Sequence, residues 1–159
     1  MKKKLLVIIL LSLVLFVGCG KKKDDEKAET HKEVEAYKEV AISYLDATIK
    51  RDGEKVCKLM VPVVIEEEYE SLDSCIKAGN NVFKAANGNL TYKIVSEKKL
   101  TGEDYEEWVG SAADYYGGIG KNNTSEVVKY EAEIYLNDES LITVYFNVIN
   151  YNNEWLVVK

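Results

Sequence analysis

The sequence predicts an α+β domain in which N-terminal helices pack on a curved antiparallel sheet. Two observations carry this. From Glu33 to Ala86 the apolar residues recur at the 3–4 residue spacing of helices. From Leu90 onward, apart from one more helical stretch, they alternate at the period of strands. A third observation sets the boundary: residues 1–32 carry an apolar run and then a charged run, neither patterned like a folded domain. The division expected is residues 1–18, residues 19–32, and a single domain over 33–159.

The first helix is expected over Glu33–Arg51, with Val34, Tyr37, Ala41, Tyr44, Leu45, Thr48 and Ile49 on one side. Asp52-Gly53 ends it, Gly53 suiting a left-handed cap, and either residue can open a short helix to Met60. Pro62 suits the first position of the next, acidic helix, Val63–Ser71. Asp73 is a candidate cap for a fourth, carrying Cys75, Ile76, Gly79, Val82, Phe83 and Ala86. Asn87-Gly88-Asn89 stops it. Leu90–Val95 alternates as a strand, and Glu103–Tyr116 is helical up to the glycines at 117, 118 and 120. Val128–Leu136, Leu141–Tyr151 and Glu154–Lys159 read as a meander, turning at Asn137–Ser140 and Asn152-Asn153.

Composition narrows the function classes. Apolar residues make up 47% of the 159, enough for a core, and the formal charge is −6. Residues 1–18 hold Lys2, Lys3 and Lys4 and no acid; without them 18 basic residues face 27 acids, a net charge of about −9. Such a domain repels polyanions, and Arg51 is the only arginine, so nucleic acid is not the expected partner. The one histidine, His31, lies in the charged run and reads as solvent-exposed. The domain therefore has no Ser-His-Asp or Cys-His pairing and no zinc motif. No metal and no cofactor is expected. Gly118-Ile119-Gly120-Lys121-Asn122 fails as a phosphate loop, with Tyr115 and Asn122 at motif positions, and reads as a helix end and flexible loop. Glu66, Glu67, Glu68, Glu70 and Asp73 read as a solvated helix face rather than a calcium loop.

The N-terminal segment is the most specific signal. Lys2–Lys4 form a basic start, and Leu5–Val17 is a 13-residue apolar run interrupted only by Ser12. As a helix it would span about 20 Å, short of a bilayer core of roughly 30 Å. Phe16-Val17-Gly18-Cys19 follows, then the polar Lys21-Lys22-Lys23-Asp24-Asp25-Glu26. This resembles the bacterial lipoprotein signal with its lipobox, Val17, Gly18 and Cys19 matching and Phe16 departing from the usual leucine. The resemblance implies cleavage before Cys19, a diacylglyceryl thioether on that cysteine, and display on the outer face of a cytoplasmic membrane, in Gram-positive style. Residues 19–32 would be a charged tether. The alternative is an ordinary signal peptide, or a short uncleaved anchor, with an incidental cysteine.

An odd cysteine count in an exported protein needs an explanation. If Cys19 carries lipid, Cys57 and Cys75 on successive predicted helices are free to pair. The alternative is two unrelated buried thiols.

A second resemblance covers most of residues 33–159 diffusely. Tyr44-Leu45-Asp46-Ala47-Thr48-Ile49-Lys50-Arg51-Asp52-Gly53-Glu54-Lys55-Val56-Cys57-Lys58-Leu59-Met60 is similar to the opening of the nuclear-transport-factor-2-like (cystatin-like) domains of bacterial lipoproteins. Asn153-Glu154-Trp155 replaces the Gly-x-Trp common in that family's last hairpin. The resemblance implies a cone with a pocket. Tyr92, Tyr105, Trp108, Tyr116, Tyr130 and Phe146 are the candidate ligand or partner surface, with plain core packing as the competing reading. The function expected is a non-catalytic module for a small ligand, peptide, glycan or envelope protein. Alternatives are a pocket enzyme using a carboxylate and a tyrosine, for example Asp114 with Tyr116, and an accessory subunit of an envelope complex.

Overall fold

The computed structural model describes the backbone of residues 21–159 and the side chains from residue 36 onward. The signal segment 1–18 and Cys19 lie outside the described residues. Among the described residues five helices and four strands follow in order: α1 Lys21–Lys50, α2 Gly53–Lys58, α3 Pro62–Tyr69, α4 Leu72–Asn81, β1 Leu90–Lys99, α5 Gly102–Tyr116, β2 Thr124–Leu136, β3 Glu139–Tyr151 and β4 Glu154–Val158. The strands form one antiparallel sheet in the order β1-β2-β3-β4. The fold class is α+β, and one compact unit covers Tyr37–Lys159. No helix among the described residues is long and apolar enough to cross a membrane.

α1 begins at Lys21, ahead of the expected Glu33. Lysine, glutamate and alanine are good helix formers, and an apolar stripe is needed for packing rather than for winding. Its packed face is as expected from Tyr37 onward: Tyr37, Ala41, Tyr44, Leu45 and Ala47 are buried. Tyr37 meets Trp155 of β4 with ring centroids 5.4 Å apart, and Tyr44 meets Phe146 of β3 at 5.1 Å.

The elbow after α1 differs from expectation. Arg51, not Gly53, takes the left-handed position, with φ 58°. Asp52 caps α2 by accepting from the Lys55 backbone N–H at 3.0 Å. Gly53 is needed for closeness: a Cβ there would lie 2.1 Å from the Ile76 carbonyl oxygen, and one on Gly79 would lie 2.6 Å from the Gly53 Cα. Bare backbone meets bare backbone, so α2 and α4 pack face to face. Asn80 Oδ1 accepts from the Gly53 N–H at 2.9 Å, and the Cys57 and Cys75 sulfurs join the two helices at 2.00 Å.

Pro62 occupies the first turn of α3, as expected. α4 is capped by Ser71, which accepts from the Ser74 N–H, rather than by Asp73. α4 also stops at Asn81, short of Phe83 and Ala86. Asn80 and Asn81 turn their side chains to other groups, Asn81 donating to the Lys77 carbonyl at 2.7 Å, and the chain leaves the helix. Phe83 then sits at φ 54°.

In the sheet, β1 runs past Val95 to Lys99 through a bulge between Ile94 and Ser96. The two hairpins turn on Asn137-Asp138 and Asn152-Asn153, all four with positive φ, as two-residue loops between right-twisting strands require. Val61 N–H donates to Val157 O at 3.0 Å and Val157 N–H to Leu59 O at 2.7 Å, covering part of the β4 edge. The loop after α5 is held by internal hydrogen bonds. Asn123 donates to the Gly118 carbonyl and accepts from the Gly120 N–H, both at 2.8 Å, and Ile119 is buried.

Candidate functional site

One apolar cavity of about 340 Å³ lies between the helices and β3. α1 contributes Tyr44, Leu45 and Thr48, α2 contributes Val56, and α3 contributes Tyr69. Ala78, Gly79, Val82 and Phe83, from α4 and the turn after it, form one wall. Ile142, Val144, Tyr145 and Phe146 form the other, and Lys159 also borders the space. Even numbers on β3 face this way because side chains alternate along a strand, so Ile142 and Val144 follow Phe146 toward the hairpin, while the exposed Tyr145 only borders the rim. The volume falls at the small end of the range of ligand pockets, roughly 300–1,000 Å³.

The polar groups inside are few. Thr48 Oγ1 donates back to the Tyr44 carbonyl at 2.8 Å. Tyr44 is buried, but its hydroxyl is not among the buried unpartnered polar atoms of the described residues, which are Arg51 Nε and Asn150 Oδ1, so it reaches solvent. Burial, and secondarily the neighbouring Tyr69, push its pKa up to about 12. That hydroxyl stays protonated and is a standing donor.

Of the six aromatics singled out from the sequence, only Phe146 lines this cavity. Tyr130 stacks on Phe146 at 5.2 Å and 11°, but its own ring is core and its hydroxyl donates to Glu97 Oε2 at 3.2 Å. Tyr92 donates to Asp46 on α1 at 3.0 Å. Tyr105 donates to the Thr124 carbonyl, and Tyr116 to the Lys159 carbonyl at 3.0 Å. Trp108, on α5, is half-buried, and two grooves of about 360 and 380 Å³ run past it and Ser111. The six are therefore distributed over core, hydrogen-bonded clamps and the α5 flank, and do not form one surface. Asp114 is exposed and does not line the cavity. The cavity residues missed by sequence reasoning are Tyr44 and Tyr69, together with the α4 wall.

Glu97 forms a second convergence. Its carboxylate accepts from Tyr37 at 3.1 Å and Tyr130 at 3.2 Å, with Lys38 Nζ at 3.5 Å. Burial, then the Glu97 charge and its hydrogen bonds, raise the pKa of both tyrosines. This network ties α1 to β1 and β2. Among the described residues no group of three His, Cys, Asp or Glu side chains is placed to hold a metal ion.

The chain matches no protein-family model and is significantly similar to no curated protein.

Proposed function

We propose that this protein is a lipid-anchored, extracytoplasmic, non-catalytic binding module of nuclear-transport-factor-2-like form, and that its ligand is a small apolar molecule. The observation that carries the binding reading is the cavity of about 340 Å³ closed by α1, α3 and α4 against β3. Its lining is aliphatic and aromatic, so burying a matching apolar body there is favourable at about 25 cal/mol per Å². The helices-on-sheet arrangement supports the cone-like family form, and the basic start, short apolar run and Gly18-Cys19 support the anchor. A sulfur pair at bonding distance suits an oxidising compartment. The enzyme alternative through Asp114 and Tyr116 is disfavoured, because Asp114 faces solvent and the Tyr116 hydroxyl is engaged at the Lys159 carbonyl.

Two experiments test the reading. Mass spectrometry of the native amino terminus should find a lipid-modified Cys19 and no residues 1–18; an intact Met1 or cleavage elsewhere overturns the anchor. Titration with cumene, followed by NMR, should shift Val82, Val144 and Phe146 selectively. Absence of saturable shifts at these residues overturns the binding reading.

A further inference from the structure

The cavity carries charge at one end only. Its floor is the run Phe146, Val144, Ile142 on one face of β3, about 14 Å along the strand. Lys159 is the one ionised side chain bordering the space. Its position follows from the strand register. Asn147 pairs with Val158, so Lys159 comes opposite Phe146, and two residues after Val157 it shares the face of Val157 and Val148, both buried. The lysine stem therefore lies along the apolar wall at the Phe146 end, and its ammonium stays at the surface, where Lys159 is exposed. None of the six ion pairs among the described residues takes Lys159. No carboxylate side chain lines the cavity: Glu66, Glu67, Glu68 and Glu70 stand on either side of Tyr69, exposed and outside the lining.

We infer that the cavity takes a straight-chain monocarboxylate of middle length, its alkyl chain along β3 and its carboxylate against the Lys159 ammonium. This rests on the cavity being the binding site. The chain follows from the floor: alternate residues of one strand make a straight apolar trough, which a linear chain covers with fewer gaps than a compact body of equal volume. Its length is limited because the space is only about 340 Å³. The head is an anion because Lys159 is the only ionised group it can meet within the lining. A head at the mouth keeps most of its hydration and gains a charge-assisted contact. It carries one charge because the four carboxylates beside Tyr69 stand close to the mouth and one ammonium faces them. A phosphate monoester, with about −1.5 to −2 charges, would be repelled more than a single lysine offsets.

The test titrates octanoate and octanol, which share a chain and differ in the head, into the full chain and into Lys159→Gln and Lys159→Arg, with dissociation constants from NMR. Lys159→Gln should weaken octanoate about fivefold and leave octanol within about twofold, and Lys159→Arg should keep octanoate within about twofold of the unmodified protein. Added sodium chloride should weaken octanoate in the unmodified protein but not in Lys159→Gln, a difference that a residue merely shaping the space would not produce. If Lys159→Gln weakens both probes equally, or neither, the inference fails. It fails also if octanoate shifts residues other than Val82, Val144 and Phe146. In each of these cases saturable cumene shifts keep the cavity reading standing. If none of octanoate, octanol and cumene binds the unmodified protein, the cavity reading falls with it.

Discussion

Reduction of the Cys57–Cys75 bridge should weaken this fold by an amount that can be worked out. The two cysteines close a loop of 18 residues, and in the chain-entropy model the released unfolded chain gains about 3 kcal/mol of freedom. Both side chains are almost fully buried, so the reduced protein keeps their packing and isolates the crosslink better than an alanine pair would. For a domain of this size the change corresponds to a fall in Tm of roughly 10–15 °C. Calorimetry of oxidised and reduced protein measures it. Hydrogen exchange adds a local readout. Amides that exchange by global unfolding should all lose the same protection. Those of α4 should lose more, because Cys75 is the only buried residue of that helix and its remaining ties are few. A fall in Tm below about 2 °C, or α4 protection that drops no more than that of β2, would refute the reasoning.

Glycine substitutions should separate closeness from flexibility. Gly53→Ala or Gly79→Ala forces α2 and α4 apart and should cost about 1–3 kcal/mol in urea denaturation. Gly110→Ala, inside α5 with open space around it, should instead stabilise by roughly 0.5–1 kcal/mol. The Glu97 clamp predicts that Tyr130→Phe costs about 1.5 kcal/mol and is non-additive with Tyr37→Phe, since both hydroxyls share one carboxylate. Alkaline pH should unfold the protein early. Tyrosine near pKa 10 in the unfolded chain is held at about 12 for Tyr44, so its contribution is complete below pH 10. Between pH 10 and 12 the unfolded chain sheds a proton the native state keeps, and roughly 3 kcal/mol is lost from Tyr44 alone. Tyrosinate absorbance against a stability curve checks this; Tyr44→Phe should flatten it.

Much of the fold is legible in the sequence where a local rule applies. Asn137-Asp138 and Asn152-Asn153 tolerate left-handed backbone, and both hairpins turn on them. Pro62 opens α3, Asp52 caps α2, and Gly117 ends α5 with φ 67°. Features set by distant contacts are not legible. Gly53 looks like a cap residue until Gly79 is placed against it. Phe83 continues an apolar pattern, so nothing local announces that the helix stops first or that a bulky residue takes φ 54°. Glu97 lies beyond the expected strand, and nothing local marks it, because its partners lie 60 and 33 residues away. The site itself is the least legible part. Tyr44 is visibly an inward residue of α1, but whether its hydroxyl is paired depends on side chains from α3, α4 and β3. Aromatic content alone picked out the clamps and the core together with Phe146.

The cavity has two walls of unequal strength, which gives ligand binding a physical signature. β3 is hydrogen-bonded to β2 on one side along its length and to β4 on the other over Asn147–Tyr151, so the wall carrying Val144 and Phe146 opens only when the sheet does. The opposite wall is α4 and the turn after it. It is held by the sulfur pair, the Gly53–Gly79 contact, the Asn80 bond to Gly53, and Arg51, which donates to the Ala86 carbonyl at 2.8 Å. Within that turn Phe83 bears a left-handed backbone, a cost of about 1–2 kcal/mol for a bulky residue. The wall is therefore both sparsely tied and strained. A molecule filling the space adds contacts to both walls, but only the weaker one opens often enough for those contacts to change its exchange. Cumene at saturation should accordingly slow amide exchange in residues 72–86 more than in β3. Equal slowing in the two walls would mean that the cavity closes as one rigid body and that Phe83 is strained for packing alone.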